Sequence, residues 1–190
     1  MLPLRKLIPQ RRVISRLVGH HRAHRDDLIL DFKERCGYCN DWDYYKTTYY
    51  EIDHFIPEYV LKTISNTEYS NLVYACRSCN NSKRAKWPSG DELISIVGDE
   101  GFIDPCNKTY DEQFERDDDG NIVALTEVGK WMYVALKLSN PQHALVHQLE
   151  NLDEAIDELE KLSDQDPSVE ALLKNLLALY RRYSRELREV

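Results

Sequence analysis

The sequence predicts an α+β protein: a small mixed core organised around a metal centre, then a mainly helical C-terminal region. Three observations carry that reading. Two Cys-x-x-Cys pairs, Cys36/Cys39 and Cys76/Cys79, stand 36 residues apart. The stretch between them holds runs rich in tyrosine, isoleucine and valine, around residues 46–56 and 71–75, which suit strands. Beyond residue 126, apolar residues recur at three- and four-residue spacing, the period of a helix.

The chain has 190 residues, 42% of them hydrophobic, with a mean hydropathy of −0.59. Those values belong to globular proteins rather than disordered ones. No apolar run approaches the roughly 20 residues of a membrane span, so no membrane partner is expected. The first 25 residues are basic and free of acids, and they lack the continuous apolar stretch of a secretory signal. A cytoplasmic protein is the expectation. The net charge of −8 conceals a division. Residues 1–90 carry 15 Lys and Arg against 10 Asp and Glu, whereas residues 91–190 carry 10 against 23. A half suited to polyanions and a half facing water or a protein partner is the simplest account.

In chain order, the basic arm (1–25) leads into a helix expected at 26–34, which delivers the first cysteine pair. The strand at 46–56 and the polar stretch 57–70 follow, and "NLVYA" (71–75) runs into the second pair. A short helix is expected at 79–86, ended by Trp87-Pro88 and Ser89-Gly90. This divides the chain into an arm (1–25), a core (26–90) and an acidic accessory region (91–190). In the last of these a hairpin is expected to turn at Asp119-Gly120. A helix fits 126–138, and two more carry apolar stripes: Leu145, Leu149, Leu152, Ile156 and Leu159, then Val169 to Leu187. "SDQDPS" between these two makes an antiparallel helical pair the simplest arrangement. Such a pair can complete the domain, form a homodimer or bind another protein; association is the expectation.

A two-residue gap lets both thiolates of a pair reach one ion, and two pairs complete a tetrahedral Cys₄ zinc site. Disulfides fit poorly with the expected compartment. Cys106 stands alone and reads as a small packed residue.

The ordered elements "EIDHFIPE … NLVYACRSCNNSK", with Cys36/Cys39 before them, resemble the zinc-containing branch of the HNH endonucleases, built on a ββα-metal fold. The resemblance covers roughly residues 36–86. It implies a metal-dependent nuclease acting on nucleic acid, on DNA more than RNA, with His54 as general base. Asp53 and Asn80 would share a catalytic ion, and Asn71 would hold the loop that orients the base. Asn80 stands where the family's final histidine is common, and an amide oxygen suits Mg²⁺ better than a transition metal; Mg²⁺ is therefore expected, with Mn²⁺ able to substitute. The glycine pair that often follows the Asp-His element is absent, so sequence preference does not transfer.

Asp53 and His54 are neighbours, and on a regular strand they would point apart. The expectation is that the strand ends near His54, helped by Pro57, so that both converge on one phosphate. Lys83 and Arg84, one turn along the short helix, are expected to meet phosphate oxygens. Tyr44, Tyr45, Tyr49, Tyr50, Tyr59, Tyr69 and Tyr74 are candidates for strand packing or base stacking. By resemblance, such proteins occur in anti-phage, restriction and mobile-element systems, some beside an ATPase partner. The competing reading is a non-catalytic, zinc-stabilised nucleic-acid-binding or adaptor module that recruits a partner through its C-terminal helices.

Overall fold

A computed structural model describes residues 1–46, 48–163 and 167–190. Its elements are β1 (Leu2–Pro3), α1 (Arg25–Asp31), β2 (Tyr50–His54), β3 (Leu72–Cys76), α2 (Arg77–Lys83), β4 (Ile96–Val97), β5 (Glu100–Gly101), β6 (Phe114–Arg116), β7 (Ile122–Ala124), α3 (Glu127–Leu136), α4 (Pro141–Ser163) and α5 (Pro167–Glu186). The protein is thus mixed α+β with a helical C-terminal region. None of the described helices is long and apolar enough to cross a membrane.

Local chemistry explains several boundaries. Helix α1 is shorter than expected because Lys33 and Glu34 both adopt positive φ, 55° and 58°. The Glu34 amide then reaches back to the Ile29 carbonyl at 2.8 Å, which closes the helix and turns the chain into the first cysteine pair. Helix α2 begins earlier than expected because Cys76 caps it, its sulfur accepting from the Cys79 amide. Thr126 caps α3 through its hydroxyl oxygen, which accepts from the Gly129 amide at 2.9 Å.

Strands β2 and β3 form an antiparallel pair in which Tyr50 opposes Cys76 and His54 opposes Leu72. All five β3 residues are buried, so this strand lies at the centre of the molecule. The hairpin β6–β7 turns through Asp117–Asn121, where the Asp117 carboxylate accepts from the amides of Asp119 and Asn121 and Gly120 has φ 84°. Strand β1 pairs with the free edge of β6, so the chain's start extends a sheet built by residues 114–124.

One apolar cluster draws on the chain from the arm to the end of α3, including Leu4, Leu28, Tyr38, Leu72, Phe102, Phe114, Met132 and Leu136. A second, smaller one joins α4 to the end of α5. Val146 and Leu149 there meet Tyr180, Tyr183 and Leu187, with Trp42 and Tyr45 beneath. The end of α5 thus lies against the start of α4, and the two helices run antiparallel. Their apolar stripes face one another within one chain, with Leu172 left exposed. Of the linker that the sequence marks at 163–168, residues 164–166 lie outside those described.

The arm is held by its own chain's acids. Arg5 pairs with Asp111 at 2.5 Å, Arg11 with Asp104 at 2.8 Å, Arg12 with Asp31 at 2.5 Å and Arg16 with Asp27 at 2.7 Å. The first two acids belong to the acidic half. Arg5 and Arg11 thereby tie the arm to the acidic half, while Arg12 and Arg16 pin it to α1.

Arg116 links three regions at once. Fully buried, it donates to the carbonyls of Gly120, His143 and Cys39 at 2.6, 3.0 and 3.0 Å. Replacing it with methionine fills the volume but removes all of these donors and leaves the buried Asp41 carboxylate without its nearby guanidinium. Arg116→Met is expected to lower stability by about 3 kcal/mol; urea unfolding at saturating zinc measures this, and an unchanged midpoint would exclude the linkage.

Candidate active site and metal centre

The metal centre is built by two loops that β3 brings together. In the first, Gly37 lets the chain pass close to the core: a Cβ there would lie 2.7 Å from the Phe32 ring and 2.8 Å from Val73. The Gly37 amide donates to the Tyr74 carbonyl at 2.8 Å, which fixes this loop to β3. The second loop is the capped start of α2. Cys36, Cys39, Cys76 and Cys79 are all buried and unlinked, and their sulfurs all lie within 4.8 Å of one another. The Cys39 and Cys76 sulfurs are 3.8 Å apart. A tetrahedron with zinc–sulfur bonds of about 2.3 Å has edges of about 3.8 Å, so the cluster can hold a structural zinc ion. Cys106 takes no part in it; burial pushes its thiol up to about 11.

Behind these sulfurs lies a polar layer that sequence reasoning missed. Asp41 is buried, its carboxylate 2.7 Å from His143 Nδ1 on α4 and 3.0 Å from the Gln142 amide nitrogen. The accessory helix therefore buttresses the first cysteine loop. A lone His more than 100 residues away carries no local signal of that contact.

Along β2 the side chains alternate through to the end. Pairing continues up to His54 opposite Leu72, so no bend lets Asp53 and His54 converge. Asp53 turns into the protein, where it accepts from the Tyr38 hydroxyl at 2.5 Å and pairs with Lys83 at 3.0 Å. Burial raises its carboxyl pKa, while Lys83 and Tyr38 pull it back. The Asp53 carboxylate, expected to share an ion with Asn80, is here engaged by Lys83 and Tyr38, while Asn80 meets a different acid.

The Lys83 side chain, expected to meet phosphate, is fully buried and also donates to the His54 carbonyl at 2.8 Å, so its ammonium faces Asp53 and not solvent. Arg84 is exposed just past α2, with φ 48°.

What meets Asn80 is Glu51, two residues before Asp53 on the same face of β2. The Asn80 amide nitrogen donates to the Glu51 carboxylate at 2.6 Å. One turn of α2 thus presents Asn80 to Glu51 and Lys83 to Asp53, matching helical spacing to the two-residue period of the strand. Glu51 and Asn80 line a cleft of about 670 Å³ with His21, Arg22, Arg25, Tyr49, Tyr50 and Ile52. Of the seven tyrosines, Tyr45, Tyr50, Tyr69 and Tyr74 are buried and pack; among the exposed ones, Tyr49 borders this cleft.

His54 sits on the outer face, partly buried. Its Nε2 lies 2.7 Å from the Asn66 carbonyl oxygen and 3.6 Å from a Glu58 carboxylate oxygen. Asn71 holds the segment beyond it: its side-chain oxygen accepts from the Ile56 amide at 2.8 Å, and its nitrogen donates to the Ile56 carbonyl at 3.0 Å. From the arm, His21 brings its ring to 4.7 Å from that of His54, nearly edge-on. Burial, aided by His54 and His20, pushes the His21 imidazole down to about 4.

Two variants test this arrangement. Lys83→Met leaves Asp53 buried without its cation, so a loss of about 3 kcal/mol is expected. The salt dependence of nucleic-acid binding should stay at the parent's slope, whereas a slope lowered by one would restore a phosphate contact to Lys83. Cys36→Ser should lose stoichiometric zinc and the cooperative thermal transition together. A variant melting like the parent would exclude the four-sulfur centre.

Comparison with known proteins agrees with the position of this site. No curated protein and no solved structure matches the chain. The segment bearing both cysteine pairs, β2, Asn71 and α2 does match a family model: residues 36–86 fit that of the HNH endonucleases.

Proposed function

We propose that this protein is a metal-dependent HNH endonuclease that hydrolyses phosphodiester bonds in DNA, with His54 as the general base. The HNH match points to nuclease chemistry in general; the roles of His54 and Asn71 come from the family resemblance, and the local geometry supports them. The observation that carries the reading is the environment of the His54 ring. A carbonyl oxygen only accepts hydrogen bonds, so the Asn66 carbonyl holds a proton on Nε2. In the neutral ring, Nδ1 then keeps its lone pair and can take a proton from water. Imidazole as a class suits this task because it titrates close to working pH. Asn71 supports the role by clamping Ile56, two residues beyond the base.

For the divalent ion, the donors at the cleft are the Glu51 carboxylate and the Asn80 side chain, whose nitrogen donates to that carboxylate and whose amide must turn over to offer its oxygen. His21 lines this cleft and lies 4.7 Å from the His54 ring, connecting it to the base on the other face of β2. A carboxylate with few other protein ligands is the usual setting for Mg²⁺, Mn²⁺ being its substitute. When bound, such an ion supplies charge stabilisation at the leaving oxygen. Arg22 and Arg25 border the same cleft and give it positive charge, while exposed Tyr49 offers a face for a base. The preference for DNA, and a place in defence or mobile-element systems beside a protein partner, rest on the family resemblance.

Supercoiled plasmid incubated with Mg²⁺, Mn²⁺ or EDTA tests the reading. His54→Ala is expected to keep its zinc and fold while cleavage falls by about 100-fold or more. Glu51→Gln should also cut poorly with an unchanged melting temperature, whereas Asp53→Asn should melt earlier because Lys83 loses its counter-charge. Undiminished cutting by His54→Ala removes the mechanism. Binding without cleavage by the parent under every metal would leave the zinc-stabilised binding module.

A further inference from the structure

At the outer end of β2, two imidazoles and a carboxylate gather from two separate parts of the chain, His21 from the arm and His54 with Glu58 from the end of β2 and the turn after it. One ligand atom each from His21, His54 and Glu58 lies within 4.8 Å of the others. The His54 Nε2 to Glu58 separation is 3.6 Å, and the two histidine rings are 4.7 Å apart. The Asn66 carbonyl oxygen lies 2.7 Å from the same nitrogen, and the Asn66 amide donates to Glu58 at 3.2 Å. Among the described residues, Glu58 has no lysine or arginine partner. A mixed set of imidazole nitrogen and oxygen donors suits a first-row transition ion and not Mg²⁺. Ligand bonds of about 2.0–2.2 Å require only a modest contraction of the cluster. Glu58 is half exposed, and His21 stands at the head of a single turn of 3-10 helix; both can close on an ion.

We infer that His21, His54 and Glu58 form a second metal site, selective for Zn²⁺ and related transition ions, whose occupancy switches the nuclease off. The switch follows from the two nitrogens of one ring. In the metal-free ring the proton sits on Nε2 against Asn66, and Nδ1 is free to act as base. An ion at Nε2 takes the place of that proton, which passes to solvent. The neutral ring then carries a proton on Nδ1, taken from solvent, so no net proton is released and no lone pair remains. Water cannot be deprotonated there, and the Asn66 carbonyl, relieved of its donor, is positioned as a further oxygen ligand. The effect on cleavage rests on the reading of His54 as the base; binding of the ion does not. His21 lies outside the segment that matches the HNH family, so the site belongs to this chain's own arm.

The test uses the full chain carrying one tightly bound zinc, titrated with Co²⁺ as a spectroscopic probe and separately with Zn²⁺. A second ion is expected to bind, and its cobalt form should show ligand-field bands without sulfur-to-cobalt charge transfer. His21→Ala and Glu58→Gln should each weaken that second binding by about tenfold or more and retain the first zinc. Mg²⁺-supported plasmid cutting should fall as the second zinc binds, with His21→Ala requiring about ten times more zinc for the same inhibition. Binding of only one ion by the parent, or equally tight second binding by His21→Ala, overturns the site. Cutting that is indifferent to a filled second site overturns the switch. A parent that binds the second ion through His21 but never cuts overturns the switch together with the nuclease reading and leaves the metal site standing.

Discussion

Everything at the candidate site is positioned from the four buried sulfurs. Sulfurs packed within 4.8 Å of one another in the interior are stable as thiolates only around a cation, since like charges at that range repel strongly in a low dielectric. A metal there would do more than close a loop. It would fix the start of α2 and the end of β3 on one side and the turn after α1 on the other. Strand β2 is registered against β3, and α2 lies across β2, so Glu51, Asp53, His54 and Asn80 all take their positions from that centre.

Part of the uneven distribution of charge has an internal outlet. Basic residues of the arm meet Asp104 and Asp111 of the acidic half, and β1 adds a strand to the β6–β7 hairpin. Arg116, Asp41 and His143 extend this connection to the back of the first cysteine loop. Docking of the early arm leaves its later part, His21 to Arg25, beside the cleft. An element far from the motif in sequence thereby becomes one wall of the site.

Residues with a fixed spacing rule were legible from sequence. Cys-x-x-Cys pairs, the capped start of a helix after the second pair, the turn at Asp119-Gly120 and the apolar stripes of α4 and α5 are local patterns, and local patterns survive folding. Direction was harder to read. The expectation that Asp53 and His54 share a site assumed that the strand ended early; pairing to Leu72 carries the alternation through both residues. Charge and placement one turn along the helix suggest a phosphate ligand at Lys83, yet a cation is what a buried Asp53 needs, and α2 delivers that one. Glu51 was passed over because it precedes the Asp-His pair, although it shares a face with Asp53.

The sequence by itself determined the metal-binding cysteines, the strand–strand–helix order around them, and the candidate base with its asparagine clamp, because each is set by neighbours a few residues away. Only the tertiary structure decided which carboxylate meets Asn80, which cation is buried, and that His21, Glu58 and Asn66 surround His54. Those are contacts between segments brought together by the core, and their partners are chosen by burial, charge compensation and strand alternation acting across the chain.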